Sequence, residues 1–222
     1  MHIPKPAKAA QRFRTLTDWA RWRSRSLLDT LGALLAGIGL HPNLMTVIGL
    51  LGNGIGAVML AQGNFLLGGI IILVMGPIDA LDGATARARG ESSPWGAFVD
   101  STTDRWSEAV ILLGLMVHYV GQNDPAGAVV VMLALIGSLM VSYSRARAEA
   151  LGFDANVGLL TRMERYLVLV PALVLNKAQI GLWIIATLAN ITALQRILHV
   201  RQQWYKRNAK TPSLTRGYNI DQ

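Results

Sequence analysis

The chain reads as a series of apolar runs divided by short polar breaks. Runs at 44–61, 66–78, 109–120, 126–141, 166–176 and 178–195 are nearly free of charge. A helix needs roughly 20 apolar residues to cross the hydrocarbon core of a bilayer, within a range of about 17–25. Several runs are shorter, but reach that length when their polar ends continue the helix. Backbone in lipid must satisfy its own hydrogen bonds, which a helix does and an isolated strand does not. The pattern therefore predicts an all-α integral membrane protein with six transmembrane helices. A soluble all-α protein with long buried helices is the alternative, but no periodic polar face interrupts the runs.

Ahead of the spans, Leu16, Trp19 and Trp22 recur at helical spacing. Leu27, Leu31, Leu34 and Leu35 follow, with Arg21, Arg23 and Arg25 between the two groups. This predicts an N-terminal amphipathic helix lying in the interface, its tryptophans at headgroup level; an ordinary basic arm is the alternative. Met1 to Arg25 lacks the short apolar core of a cleaved signal. His41-Pro42-Asn43 breaks the chain before the first span, whose Gly49, Gly52, Gly54 and Gly56 permit close helix approach. The second apolar run stops at Ile78, where Asp79 follows while helix-compatible sequence continues to Arg89. Gly90 to Pro94 has turn chemistry, and the third helix starts near Trp95. Because that loop is short, the second and third helices are expected to be antiparallel neighbours. The fourth span runs from about Ala126 into the charged stretch Arg145–Glu149, and the fifth and sixth start near Leu159 and Ala178. Residues 1–40 are thus a basic arm and juxtamembrane helix, 41–200 the membrane domain, and 201–222 a basic tail.

Composition agrees. Of the residues 52% are hydrophobic and 15% charged, against about 25% charged in soluble domains. Without cysteine there are no disulfides and no thiolate chemistry. A net charge of +8 raises the question of nucleic acid, but the distribution answers it. With six spans, the three connections opposite the termini hold one basic residue, Lys177, of 21. The positive-inside rule then makes the side of the termini cytoplasmic. The basic excess sets topology and attracts anionic headgroups rather than nucleic acid. The expected location is the cell (inner) membrane, multi-pass, with both termini and the catalytic side cytoplasmic.

The chemistry concentrates between the second and third helices. Asp79 and Asp82 are three residues apart and share one helix face, as do Asp100 and Asp104, four apart. Four carboxylates at one depth near lipid are very costly without cations. Oxygen ligands in this number suit Mg²⁺ or Mn²⁺ rather than zinc. Two ions held this way activate an attacking oxygen and stabilise a leaving phosphate. Gly83 and Gly96 leave room for a ligand to approach backbone, and Arg87 can reach a phosphate by a bidentate contact. Ordinary helix-end charges answered by Arg87, Arg89 and Arg105 are the alternative, but such charges have no reason to be aspartate only.

Asp79-x-x-Asp82-Gly83-x-x-Ala86-Arg87, eight residues, Gly96, three residues, Asp100, three residues, Asp104 resembles the signature of the CDP-alcohol phosphotransferase family, with all eight fixed positions present. Pro42-Asn43 with Thr46 and Gly49 is similar to the family's first-helix entry. The resemblance implies that an acceptor hydroxyl attacks the phosphate of a CDP-linked lipid and CMP leaves. It implies a homodimer, with Asp79, Asp82, Asp100 and Asp104 binding two metal ions and Asp104 serving also as general base. Gly83, Ala86, Arg87 and Gly96, together with Asp82, would contact the CDP-lipid, and Asn43 is a further nucleotide-side candidate.

A second polar stretch bears on the acceptor. Ser142 and Arg145 share a helix face, as do Arg162 and Arg165. Guanidinium groups aimed at the catalytic side would bind a phosphate on the acceptor, although Arg145 can instead pair with Glu149, four residues on. The stretch is similar to that of prokaryotic phosphatidylinositol-phosphate synthases, with arginine at Arg145 where lysine is common and Met163 in place of a common proline. The expected partners are CDP-diacylglycerol, inositol 1-phosphate, the bilayer and a second copy of the chain. Glycerol 3-phosphate, the acceptor of phosphatidylglycerophosphate synthases, remains open. A divalent-cation transporter is the alternative from another class, but such sites usually lie at mid-membrane.

Overall fold

The computed structural model describes residues 29–39 and 41–209. The tryptophan-bearing stretch Leu16–Trp22 lies outside the described residues, as does the tail after 209. Every element described is helical: α1 at 29–37, then α2 (Pro42–Ala61), α3 (Phe65–Ala88), α4 (Pro94–Gly121), α5 (Pro125–Ala150), α6 (Arg162–Val174) and α7 (Ala178–Ala209).

Local chemistry sets these limits. Ser93 accepts a hydrogen bond from the Gly96 amide at 3.0 Å, with Pro94 opening α4. Asp124 caps α5 through the Gly127 amide at 2.9 Å, with Pro125 in the first turn. Thr161 and Glu164 form a capping box at the start of α6. That helix begins three residues later than the apolar pattern indicated, because the box fixes its entry at Arg162.

Among the described residues, four helices are long and apolar enough to cross a membrane, those containing Leu44–Ala61, Phe65–Ala88, Pro125–Ala150 and Ala178–Ala209. The other two expected spans do not qualify in this way. The first turns of α4 hold Asp100, Asp104, Arg105 and Glu108, and the 13 residues of α6 extend only about 20 Å at 1.5 Å per residue.

The helices pack as a closed ring in the order α2, α3, α6, α7, α5, α4. Leu60, Ile72, Leu112, Leu115, Leu173, Leu182 and Ile185 are fully buried inside it. The outside is apolar as well: Leu51, Ile55, Leu66, Leu113, Val129 and Ile180 are among many exposed large side chains. Close approach at the α2–α3 crossing depends on Gly68, where a Cβ would lie 3.0 Å from the Gly56 carbonyl oxygen. Contrary to the sequence expectation, α3 and α4 are not a packed pair. Both lean on α2, and the gap between their polar ends is where the aspartates lie.

One detail shapes that end. Pro77, inside α3, has no N–H, so the Leu73 carbonyl loses its intrahelical donor. The Tyr166 hydroxyl of α6 donates to the Ile72 carbonyl at 2.7 Å and lies 3.0 Å from that of Leu73. Its ring sits where a side chain at Gly76 would be, with Tyr166 Cζ 2.6 Å from that Cβ position. The bend two residues before Asp79 is therefore held from α6. Tyr166→Phe should cost about 0.5–1.5 kcal/mol by removing the hydroxyl's hydrogen bond to this turn, read as a lower unfolding midpoint of the detergent-solubilised protein; an unchanged midpoint would show that the hydroxyl does not hold the bend.

Candidate metal and phosphate site

The last turns of α3 present Asp79 and Asp82, and the early turns of α4 present Asp100 and Asp104. Asp79 is 8% exposed, Asp82 4% and Asp104 9%; Asp100 is half-buried. One carboxylate oxygen from each of Asp79, Asp82 and Asp100 lies within 4.8 Å of the others. At an effective dielectric of about 20, two unit charges at that distance repel by about 3 kcal/mol. The cluster is tolerable only with donors and cations around it.

Those partners are specific. Thr46, from α2, donates to Asp82 Oδ2 at 2.6 Å, and the Gly83 amide donates to Oδ1 at 2.5 Å. Arg162, the first residue of α6, reaches across the ring: Nη2 is 2.6 Å from Asp79 Oδ2 and Nη1 is 2.6 Å from Asp104 Oδ2. Its two arms thus join α3 to α4. Arg105 stands 4.0 Å from the same Asp104 oxygen. Asp104 Oδ1 is buried with no hydrogen-bond partner among the described residues.

The other predicted positions divide. Asn43 is in the first turn of α2. A Cβ on Gly83 would lie 3.5 Å from Arg87 Nη1, so the glycine and the arginine border the same space. The exposed Arg87 also pairs with Asp29 of α1 at 3.2 Å, and Ala86 precedes it, half-buried. The Gly96 amide is used by the Ser93 cap. Ser142, half-buried, and Arg145, exposed, lie near the end of α5, where Arg145 pairs with Glu149 at 2.8 Å. Arg162 therefore faces the aspartates, and Arg165 does not. Arg165 is 2% exposed and grips Glu108 of α4 with both arms, at 2.6 and 2.7 Å.

Three residues of this region escaped the sequence reading as site residues: Thr46, Glu108 and Arg196. Glu108 lies one turn beyond Asp104, so α4 offers two acids to the two arginines of α6's first turn. Its signal was an acid continuing the Asp100–Asp104 spacing into an apolar run. Arg196, likewise, is a charge in the apolar seventh helix and is 3% exposed.

A family model described as CDP-alcohol phosphatidyltransferase matches residues 39–200. The chain belongs to the CDP-alcohol phosphatidyltransferase family. It is 40% identical over 177 residues to an archaetidylinositol phosphate synthase of Pyrococcus horikoshii, covering 79% of this chain and 92% of that one. It is 33% identical over 211 residues to a phosphatidylinositol phosphate synthase of Streptomyces avermitilis, covering 88% and 86%. The crystal structure of Mycobacterium tuberculosis phosphatidylinositol phosphate synthase with CDP-DAG bound superposes with a TM-score of 0.72 at 27% identity, covering 79% of this chain and 94% of that chain. The same enzyme was solved with manganese and citrate, again with a TM-score of 0.72 at 27% identity, covering 78% and 88%. Like the apolar helices, this kinship makes the chain a multi-pass membrane protein.

For a CDP-alcohol phosphatidyltransferase the carboxylate cluster fits a hard divalent cation. Its donors are all oxygen, three of them converge, and Asp104 keeps a buried oxygen without a donor. The Glu108–Arg165 pair is structural support beside it. Removing one partner of a buried pair costs about 3–5 kcal/mol, whereas replacing both with apolar groups is often close to neutral. Arg165→Met alone should therefore sharply lower the unfolding midpoint, and Glu108→Leu added to it should restore much of the loss. A double variant as unstable as the single one would overturn this account of the pair.

Proposed function

We propose that the protein transfers a phosphatidyl group from CDP-diacylglycerol to inositol 1-phosphate, releasing CMP. The observation that carries the proposal is Arg162, a phosphate-binding group joined to two of the four clustered aspartates. The proposal joins it with Ser142 and Arg145, which stand on the last turns of α5. The names of the relatives agree with that acceptor.

Asp79, Asp82, Asp100 and Asp104 would hold two Mg²⁺ or Mn²⁺ ions; bound there, such ions polarise the phosphoryl oxygens and neutralise the charge of the leaving phosphate. Gly83, Ala86, Arg87 and Gly96 border the space for the cytidine diphosphate, with Asn43 on the nucleotide side. Asp104 takes the proton of the inositol hydroxyl; its buried Oδ1 has no hydrogen-bond partner among the described residues. The hydroxyl oxygen bonds to the phosphorus that carries diacylglycerol, and the bond from that phosphorus to the CMP oxygen breaks. Arg145 and Arg162 hold the acceptor phosphate by charge-assisted hydrogen bonds. Arg165, gripped by Glu108, supports that pocket from behind.

The proposal places this chemistry on the cytoplasmic side, supported by the basic residues gathered on the side of the termini, and takes up the homodimer that the family resemblance implies.

The purified protein, given CDP-diacylglycerol, Mg²⁺ and a panel of acceptors, should release CMP fastest with inositol 1-phosphate. A faster rate with glycerol 3-phosphate would replace the acceptor and keep the reaction class. Asp104→Asn should lower turnover by about 10²–10⁴-fold, the usual contribution of a general base, and chelation of divalent metal should abolish it. Full CMP release by Asp104→Asn would remove that residue from the role of base.

A further inference from the structure

Residues 151–161 connect the end of α5 to Arg162 and have no regular structure of their own for most of that length. Six of their backbone groups bond to side chains of α7. Thr192 Oγ1 accepts from the Leu159 and Leu160 amides at 3.2 and 3.1 Å. Arg196 Nε donates to the Val157 carbonyl at 3.0 Å. Gln203 pairs with both backbone groups of Asp154, accepting from its amide at 3.0 Å and donating to its carbonyl at 2.5 Å. Arg207 donates to the Gly152 carbonyl and lies 4.4 Å from the centre of the Phe153 ring. Positions 192, 196, 203 and 207 recur at four, seven and four residues, so they form one face of α7.

The same face also reaches the far side of the loop. Arg196 Nη1 donates to the Val141 carbonyl at 2.5 Å, one residue before Ser142. Gly158, at φ +120°, lies against Thr192, leaving no space for a side chain. Buried backbone groups need partners in any loop. Here α5 and α6 hold the two ends, and the bonds from α7 run between Gly152 and Leu160, along the segment that separates Ser142 and Arg145 from Arg162. A buried arginine in an apolar helix is costly and is retained for what it holds.

We propose that the Thr192–Arg196–Gln203–Arg207 face of α7 positions the 151–161 loop, so that Arg145 on α5 and Arg162 on α6 can grip one acceptor phosphate. These four are positioning residues, and the inference rests on the acceptor pocket proposed above. It predicts that loosening the loop weakens the acceptor while sparing the donor, because no α7 side chain on this face touches the four aspartates.

Gln203 and Arg207 are the partly and fully exposed members, suited to substitution without opening the core. The full-length Gln203→Ala/Arg207→Ala protein is compared with its parent in two measurements. Amide hydrogen exchange should quicken in 151–161 and stay unchanged in α3 and α4. KM for inositol 1-phosphate should rise by about tenfold, the scale of one or two lost hydrogen bonds, with KM for CDP-diacylglycerol within about twofold, and Arg207→Lys alone should recover part of the loss. Unchanged exchange in the loop, an unchanged acceptor KM, or an equal rise in both KM values would each overturn the proposal. If the parent uses glycerol 3-phosphate in place of inositol phosphate, the acceptor assignment fails, and the same comparison with that alcohol still decides the positioning.

Discussion

Acid buried among apolar helices is the constraint on which this molecule is organised. Asp79, Asp82 and Asp100 bring oxygens within 4.8 Å at the end of a helix ring whose core cluster is mainly leucine, isoleucine, valine and alanine. Such a cluster repels itself, so α3 and α4 cannot close on each other there. They are held apart by their charges and together by intermediaries: α2, which packs on both and lends Thr46 to Asp82, and Arg162, which spans Asp79 and Asp104. The place where they meet is polar and lined by carboxylate oxygens that suit a divalent cation.

The same constraint explains the uneven legibility of the sequence. The number and order of the helices from 42 to 209 follow from the apolar runs, because each break carries its own turn chemistry, as at Ser93-Pro94 and Asp124-Pro125. The aspartates are legible because i, i+3 and i, i+4 spacing puts each pair on one face regardless of tertiary packing. The neighbour relation of α3 and α4 was misread, since a short loop makes adjacency the simplest arrangement and gives no sign that α2 would stand between. Arg165 shows a related limit. Spacing puts it on a face with Arg162, but only the position of Glu108 on α4 decides that one arginine meets aspartates and the other is consumed in a buried pair.

Two sides of the site are built differently. The donor side rests on continuous helices: Asp79 and Asp82 on α3, Asp100 and Asp104 on α4, with Tyr166 securing the bend at Pro77. Its geometry is local and is written in a contiguous stretch of sequence. The acceptor side, as proposed, draws on the end of α5, the start of α6 and an irregular connection between them, and local sequence does not fix the relation of those pieces.

The irregular backbone of 151–161 needs partners for its polar groups. Helix α7 supplies such partners with hydrogen-bonding side chains rather than with apolar packing. Its polar face runs from the fully buried Thr192 to the exposed Arg207, from inside the helix ring out beyond it. A chain that varied this loop and the face opposing it, while keeping the aspartates and their helices, could change the alcohol it accepts without disturbing the carboxylates that receive the donor. The difference between the carboxylate end of the site and the α5–α6 connection is thus a consequence of which backbone is helical and which must be held from outside.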